Sequence, residues 1–379
     1  MEEYNLTEKT TEIVDKLISN PRRITDEELK ALLLCEDQAS IDYMAEKARE
    51  VREKHYGKDV YLRGLIEFTN YCKNNCYYCG IRRGNKNCER YRLTAEEILS
   101  CADQGYELGF RTIVLQGGED PYFTDDVMVP IVEAIRKKYP DCAITLSLGE
   151  RSEESYERLF DAGANRYLLR HETADRAHYE KLHPEEMSYD NRFRCLVKLR
   201  ELGYQVGCGM MIGSPYQTTE HLIKDLRFLQ IFKPEMVGTG PFIPHQDTQF
   251  AHEQAGSTEM TLKILSIVRL LIPDVLLPAT TALGTVDPLG REKGLLAGAN
   301  VVMPNLSPSD VRGKYLLYDN KICTGEEAAE CIRCMKLRVE KVGYRVVAGR
   351  GDHIKFTKQE EEIIPWQKEL ESIMKSPAR

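Results

Sequence analysis

From residue 65 onward the chain repeats one unit: a short run of β-branched and apolar residues, then a longer stretch with helical, charged periodicity. The apolar runs fall at 65–69, 112–119, 143–149, 166–173, 205–213, 236–243, 275–282 and 300–304. Helical patterns begin at Thr94 and then cover 124–138, 153–162, 190–202, 219–231, 260–272 and 288–297. Thr94 and Glu97 stand at capping-box spacing, which marks a helix start. Parallel strands need crossover connections, so strict alternation implies a parallel sheet. Eight strand candidates and seven helices predict an α/β fold, a (β/α)8 TIM-type barrel. An open doubly wound sheet is the alternative, but no G-x-G-x-x-G follows the first strand. The expected organisation is an N-terminal helical extension over 1–58, a barrel over 59–304, and a C-terminal cysteine-containing extension over 305–379 with a helix near 326–342. Thr25 and Glu28 form a second capping-box pair inside the leader, and a further leader helix ends at Gly57. Both extensions are expected to pack on the barrel.

Composition narrows the function classes. A net charge of −8, with no basic run or aromatic platform, argues against nucleic-acid binding. The longest apolar run, 262–272, is interrupted by Lys263 and Arg269 and is too short to span a membrane. The opening MEEYNLTEKTTE is acidic and polar, unlike a signal peptide. Twelve cysteines without an export signal point to a reducing, cytoplasmic setting. Cys35, Cys88, Cys101, Cys142, Cys195 and Cys208 stand outside any cluster and read as small buried hydrophobes.

The other six cysteines are grouped. Cys72-x₃-Cys76-x₂-Cys79 follows the first strand. Thiolates are the usual ligands of iron–sulfur clusters. Three of them on a four-iron cluster leave one iron without a protein ligand, free to bind a substrate or cofactor. Structural zinc prefers two paired knuckles, and the only nearby fourth ligand is Cys88, nine residues past Cys79. Cys323-x₇-Cys331-x₂-Cys334 forms a second trio in the tail. It reads as an accessory iron–sulfur cluster, [2Fe–2S] or [4Fe–4S]; a zinc site lacking one ligand, or unrelated thiols, are the duller readings.

In a barrel of this kind the active site lies at the C-terminal strand ends. The informative residues recur there: Gln116, Gly117, Gly118, Glu119 and Asp120 after strand two, Ser147 and Glu150 after strand three, and Arg170, His171 and Glu172 after strand four. Met211 and Gly213 follow strand five, Pro244 and His245 strand six, Thr280 and Thr281 strand seven, and Met303 and Asn305 strand eight. The two glycines form either a tight turn or a place where backbone approaches a ligand amine. Glu172 either pairs with Arg170 or accepts ribose hydroxyls; an acid in a barrel mouth is costly unless it is paired or bound. Arg192 opens a helix, where a cation opposes the dipole, so a carboxylate partner is expected, and a ligand carboxylate is one candidate. Thr280 and Thr281 are either strand-end hydroxyls or anion contacts. His171 and His245 are more often structural.

With Tyr78 as the aromatic before the last cysteine, CKNNCYYC resembles the signature of the radical SAM enzymes, which use S-adenosylmethionine (SAM). The stretches TIVLQGGEDPY, TLSLGE, RYLLRHETA, MVGTGPFIPHQDT, LPATTALGT and ANVVMPNLSPS, with the tail trio, are similar to the [FeFe]-hydrogenase maturase (HydE) family within that group. The resemblance covers about residues 60–340. It implies a [4Fe–4S] cluster on Cys72, Cys76 and Cys79 whose open iron binds SAM, and cleavage of SAM to a 5′-deoxyadenosyl radical. Tyr78, Gln116, Gly117, Gly118, Glu119, Ser147, Glu172 and Arg192 are the implied cofactor-binding residues. Arg170, Thr280, Thr281 and Met303, with Tyr315, are implied to surround a small cysteine-ligated iron carbonyl cyanide substrate. Maturation partner proteins and an electron donor are implied as well. Other biotin-synthase-like reactions, sulfur insertion or a methylornithine-type rearrangement, are the alternatives. Sulfur insertion would need a further cluster inside the barrel, for which Cys142 and Cys208 make no convincing ligand set. A non-catalytic iron–sulfur sensor would leave the strand-end residues unexplained.

Overall fold

The computed structural model describes residues 2–325 and 328–357. Residues 358–379 of the expected C-terminal extension, and 326–327 at its helix start, lie outside the described residues. Strands β1 (Asp59–Leu62) and β2 (Gly64–Thr69) lead into the alternating region. There follow β3 (Thr112–Gly117), β4 (Ala143–Ser147), β5 (Arg166–Leu168), β6 (Gln205–Cys208), β7 (Met211–Ile212), β8 (Met236–Val237), β9 (Gly240–Pro241) and β10 (Val301–Val302). A parallel six-stranded sheet runs β2-β3-β4-β5-β6-β8, with Leu65 opposite Val114 and Gln116 opposite Ser147. Single parallel bridges, Met236 to Leu276, Pro278 to Val301 and Leu65 to Asn305, carry the ring through positions seven and eight back to strand one. The expected TIM-type fold is what the chain adopts. All of β2 is buried, as a strand between a barrel interior and a helical layer must be.

The seventh run, 275–282, is the exception: it holds its place without forming a regular strand. Pro278 has no N–H to donate, and Asn300 Oδ1 replaces a backbone acceptor for Leu277 N at 2.9 Å. Thr280 then caps the helix Thr281–Val286. Runs five and six each split in two at a glycine, because a Cβ on Gly209 would sit 2.0 Å from Gly238 O. Both predicted capping boxes are present: Thr25 with Glu28, and Thr94 with Glu97.

The leader folds as helices Glu2–Ser19, Asp26–Leu34 and Gln38–Tyr56 against the barrel wall. Lys263 and Arg269, which read as breaks in an apolar run, are buried and useful. Lys263 Nζ donates to Leu33 O at 3.1 Å and Cys35 O at 2.9 Å, so it satisfies the C-terminal carbonyls of a leader helix. Arg269 donates to Gly298 O at 2.9 Å and to Pro273 O at 2.9 Å. Among the described residues, no helix is long and apolar enough to cross a membrane.

The tail divides between the two ends of the barrel. Residues 313–323 lie over the C-terminal ends of the strands. After the helix Ala328–Lys341, strand β11 (Arg345–Val347) pairs in parallel with β1. Residues beyond it stop up the opposite end: Arg350 O accepts from Arg166 Nη2 at 2.6 Å, and Asp352 Oδ1 accepts from Arg166 at 2.8 Å and Gln205 at 2.7 Å. One end is thereby sealed, which leaves the cysteine end for chemistry.

Candidate active site

A cavity of about 300 Å³ lies at the C-terminal ends of the strands. Cys72, Tyr78, Cys76 and Cys79 line one side. Gln116, Gly117, Gly118, Glu119, Ser147, Arg170, Glu172, Arg192 and Thr280 line the rest, with Tyr315, Leu317 and Tyr318 from the tail as its roof. Of the strand-end residues singled out in the sequence, Gln116, Gly117, Gly118, Glu119, Ser147, Arg170, Glu172, Met211 and Thr280 converge on this one space. Asp120, Glu150, His171, Gly213, Pro244, His245, Thr281, Met303 and Asn305 do not line it. Thr281 is the first residue of the helix that Thr280 caps, so it turns away, and its Oγ1 accepts from Arg291 at 3.2 Å. Met303 packs with Tyr56, Met236, Leu276 and Val301 in the barrel interior.

The cysteine loop is held by backbone bonds from three directions. Lys73 N donates to Glu119 O at 2.9 Å, Tyr77 N to Leu182 O at 3.0 Å, and Gly80 N to Leu317 O at 2.9 Å. Arg90 staples it from behind, donating to the carbonyls of Asn70, Ile81, Arg82 and Asn85. Burial pushes the Cys72 and Cys76 thiols upward and the Cys79 thiol to about 12, and each is raised further by a neighbouring charge, chiefly the adjoining thiols. Three thiolates can share this space only if a multivalent cationic group is bound among them. Among the described residues, no three His, Cys, Asp or Glu side chains are gathered tightly enough for a single metal ion. A multi-iron cluster takes its cysteine ligands at wider spacing than a single ion does. The donor set fits an iron–sulfur cluster.

Opposite the cysteines, Arg170 and Glu172, in the segment just past β5, line the cavity. Glu172 has φ +66°, the left-handed region that a side chain adopts only under constraint. The constraint is visible: Glu172 N donates to Gly209 O at 3.0 Å, and Arg192 Nη1 donates to Arg170 O at 2.6 Å. Arg170 Nη2 and Glu172 Oε2 are 3.1 Å apart, so their charges attract. Neither atom has a hydrogen bond of acceptable geometry, and Arg170 Nε has none either. Buried polar atoms without partners are costly. Both residues line the cavity, so a polar ligand there would meet this ion pair.

Arg192 finds its expected carboxylate partner within the chain rather than in a ligand. Its partner is the chain's own Glu150, with Nε to Oε1 at 2.5 Å, and Asn191 bonds the other oxygen. The glycines serve packing first: a Cβ on Gly118 would lie 2.1 Å from Tyr71 O and 2.8 Å from Cys72 Cβ. His171 is fully buried, accepts from Gly209 N at 3.2 Å, and lies 3.3 Å from Asp225. His245 packs where a Cβ on Gly80 would stand, 2.2 Å away, and accepts from Asp247 N at 3.1 Å. Neither histidine lines the cavity.

Several contributors escaped the sequence reading. Arg90 is one arginine among four in a basic loop. Lys321 reads as a solvated loop residue, yet its ammonium is 2.7 Å and 2.9 Å from the two oxygens of buried Glu67 and 2.9 Å from Tyr315 O. Tyr318 carried no signal beyond being aromatic. In the tail, Cys323 Sγ accepts from Arg291 Nη1 and Nη2 at 3.6 Å each. Cys331 is buried and Cys334 exposed on the helix Ala328–Lys341. Cys323 and Cys334 both act electrostatically on Arg338.

Comparisons with known proteins agree with this arrangement. The model of the radical SAM superfamily matches residues 66–229. The chain is 48% identical over 332 residues to the [FeFe] hydrogenase maturase subunit HydE of Thermotoga maritima, covering 88% of this chain and 94% of that protein. It is 32% identical to a 3-methylornithine synthase of Methanosarcina acetivorans, over 85% of this chain and 90% of that one. Among solved structures, methylornithine synthase (PylB) superposes with a TM-score of 0.78 at 29% identity, covering 88% of this chain and 97% of the other.

Proposed function

This chain belongs to the radical SAM superfamily, in the family of the hydrogenase maturase HydE, and from that premise we propose that it helps build the two-iron subcluster of an [FeFe]-hydrogenase. Cys72, Cys76 and Cys79 would hold a [4Fe–4S] cluster. When bound and reduced, that cluster supplies the electron that cleaves SAM to methionine and a 5′-deoxyadenosyl radical. Tyr78, Gln116, Gly117, Gly118, Glu119 and Ser147 form the wall for SAM; Glu172 accepts its ribose hydroxyls; Arg192, anchored by Glu150, bounds the pocket beside it. The roof of Tyr315, Leu317 and Tyr318 excludes water, which a carbon radical requires.

The substrate proposed is a small cysteine-ligated iron carbonyl cyanide, with its sulfur as the point of attack. Arg170 and Thr280 would hold its anionic end. Thr281 acts at one remove through Arg291, and Met303 from the interior side. The tail trio Cys323, Cys331 and Cys334 is proposed to carry an accessory [2Fe–2S] or [4Fe–4S] cluster dispensable for SAM cleavage. Maturation proteins and an electron donor in the cytoplasm complete the proposed context.

The observation that carries this reading is the placement of three half-buried cysteines opposite the Arg170–Glu172 ion pair across one small cavity. A methylornithine-type rearrangement is favoured less, at 32% identity against 48%. The test is anaerobic reconstitution with iron and sulfide, then dithionite and SAM, with 5′-deoxyadenosine as the readout. Native protein should produce it and Cys76→Ala should not. Conversion of the iron carbonyl cyanide complex, with no 3-methylornithine formed, would support the maturase reading; the opposite selectivity would overturn it.

A further inference from the structure

The helix Arg176–Leu182 ends against the cysteine loop, and its C-cap residue is His183, which is 2% exposed. His183 Nδ1 lies 2.9 Å from Tyr179 O. A carbonyl only accepts, so Nδ1 carries the proton. Burial, with Arg192 beside it, pushes the His183 pKa down to about 3, so the ring is neutral and Nε2 keeps its lone pair. Tyr78 Oη is 3.1 Å from Nε2 and must be the donor. The imidazole is stacked on Tyr179 with centroids 3.9 Å apart and meets Tyr78 edge-on at 5.4 Å. One backbone bond, Tyr77 N to Leu182 O at 3.0 Å, grips the loop beside it.

Tyr78 stands between two of the clustered cysteines and its ring forms part of the cavity wall. Its hydroxyl is turned away from the cavity, into the protein, and satisfied there by a single acceptor. We propose that His183 is a positioning residue for the SAM site: its neutral Nε2 fixes the Tyr78 ring as a rigid wall against which SAM binds. The tautomer is set by the helix carbonyl behind it, so the device works in one direction only. A ring that donated at Nε2 would turn the Tyr78 oxygen into an acceptor and leave the hydroxyl proton without this partner. The inference rests on the SAM reading above, and the purely structural alternative is that His183 merely holds the cysteine loop together.

The experiment separates these. Tyr78→Phe, His183→Phe, their double variant and His183→Gln are reconstituted anaerobically. Iron and sulfide per chain are counted, and SAM affinity is read from the change in the electron paramagnetic resonance spectrum of the reduced cluster. Phenylalanine at 183 keeps the stacking on Tyr179 and removes the bond to Tyr78 together with the Nδ1 bond to Tyr179 O, whereas Tyr78→Phe removes the first bond alone. Each single variant should bind SAM about tenfold more weakly, the scale of one buried hydrogen bond, with iron content at the native level. The double variant should be no weaker than the worse single, since both remove the same bond. Glutamine, whose amide oxygen can accept at the Nε2 position, should recover most of the affinity. Tyr78→Phe with native affinity would overturn the proposal even if His183→Phe fails to fold. So would iron loss in step with affinity, which is the structural alternative, or a double variant whose effect multiplies the singles. Native protein with a full cluster and no spectral response to SAM would instead overturn the cofactor reading, and this inference with it.

Discussion

Lys321→Met should loosen the roof of the cavity without unfolding the barrel. Lys321 and Glu67 are 7% and 2% exposed, so solvent screens their interaction little. The ammonium makes bonds of 2.7 and 2.9 Å to the carboxylate and one of 2.9 Å to Tyr315 O. Removing one member of a buried pair costs about 3–5 kcal/mol, mostly because the remaining charge is stranded. Asn305 Nδ2 still donates to Glu67 at 2.8 Å, so the lower end applies, about 3 kcal/mol. The other anchors of residues 313–323 include Gly80 to Leu317, Asn70 to Lys314, Lys314 to Glu89, Gln116 to Tyr315, Asp319 with Pro244, Gln246 and His245, and Arg291 to Cys323. None of them is a strand pairing, so the penalty is met by local opening rather than by global unfolding. At about 1.4 kcal/mol per tenfold, hydrogen exchange across 313–323 should quicken roughly a hundredfold, while strand amides in β3 and β4 keep native protection. The double variant Glu67→Gln with Lys321→Met removes the stranded charge and should recover a large part of the loss. Unchanged exchange in Lys321→Met, or a double variant as mobile as the single, would refute the reasoning.

Arg90→Lys should lower iron retention several-fold while the melting temperature moves little, because an ammonium cannot fork to four carbonyls at once; iron counted per chain, beside a thermal melt, decides it. Gly118→Ala places a methyl 2.1 Å from Tyr71 O, so the cysteine loop must shift and cluster assembly should fail, as visible absorbance after reconstitution would report. Asp352→Asn leaves the fully buried Arg166 without its counter-charge and should destabilise the protein by about 3–5 kcal/mol in urea denaturation. Burial alone would raise the Asp352 pKa, but Arg166, Arg350 and Gln205 outweigh it and hold it below the ordinary value. A depressed folded pKa means the stabilisation is complete above the unfolded value of about 3.9 and is lost as pH falls below it. The gap between native and Asp352→Asn should thus stay constant from pH 8 to 5 and close only in stronger acid; a gap that closes by pH 6 would contradict the assignment.

Much of this protein was legible before any coordinates. Strand runs ending in Gln116, Ser147 and Arg170, helices opened by Thr25 and Thr94, and the 72/76/79 spacing all depend on neighbours within a turn or two of chain. Backbone periodicity and capping act at that range, so their signals survive in a linear string. The barrel itself follows, because eight alternating units leave parallel strands few ways to close.

Tertiary structure decided the partners. Arg192 called for a carboxylate, but that Glu150 supplies it, 42 residues away, depends on the loop after β4 lying against the start of the helix Tyr189–Glu201. Lys321 meets Glu67 across 254 residues, and Asp352 reaches Arg166 across 186. Nothing near Lys321 in the chain distinguishes it from a solvated lysine; only burial makes its charge consequential. The failure of run 275–282 to form a regular strand shows the same division. Its Pro278 was readable, but that Asn300 would complete the ladder with a side chain was not. Local sequence determines which elements form and which residues stand at their ends. Long-range packing determines which of those ends meet, and hence which polar groups are buried in the protein and which, like Arg170 and Glu172, line the cavity.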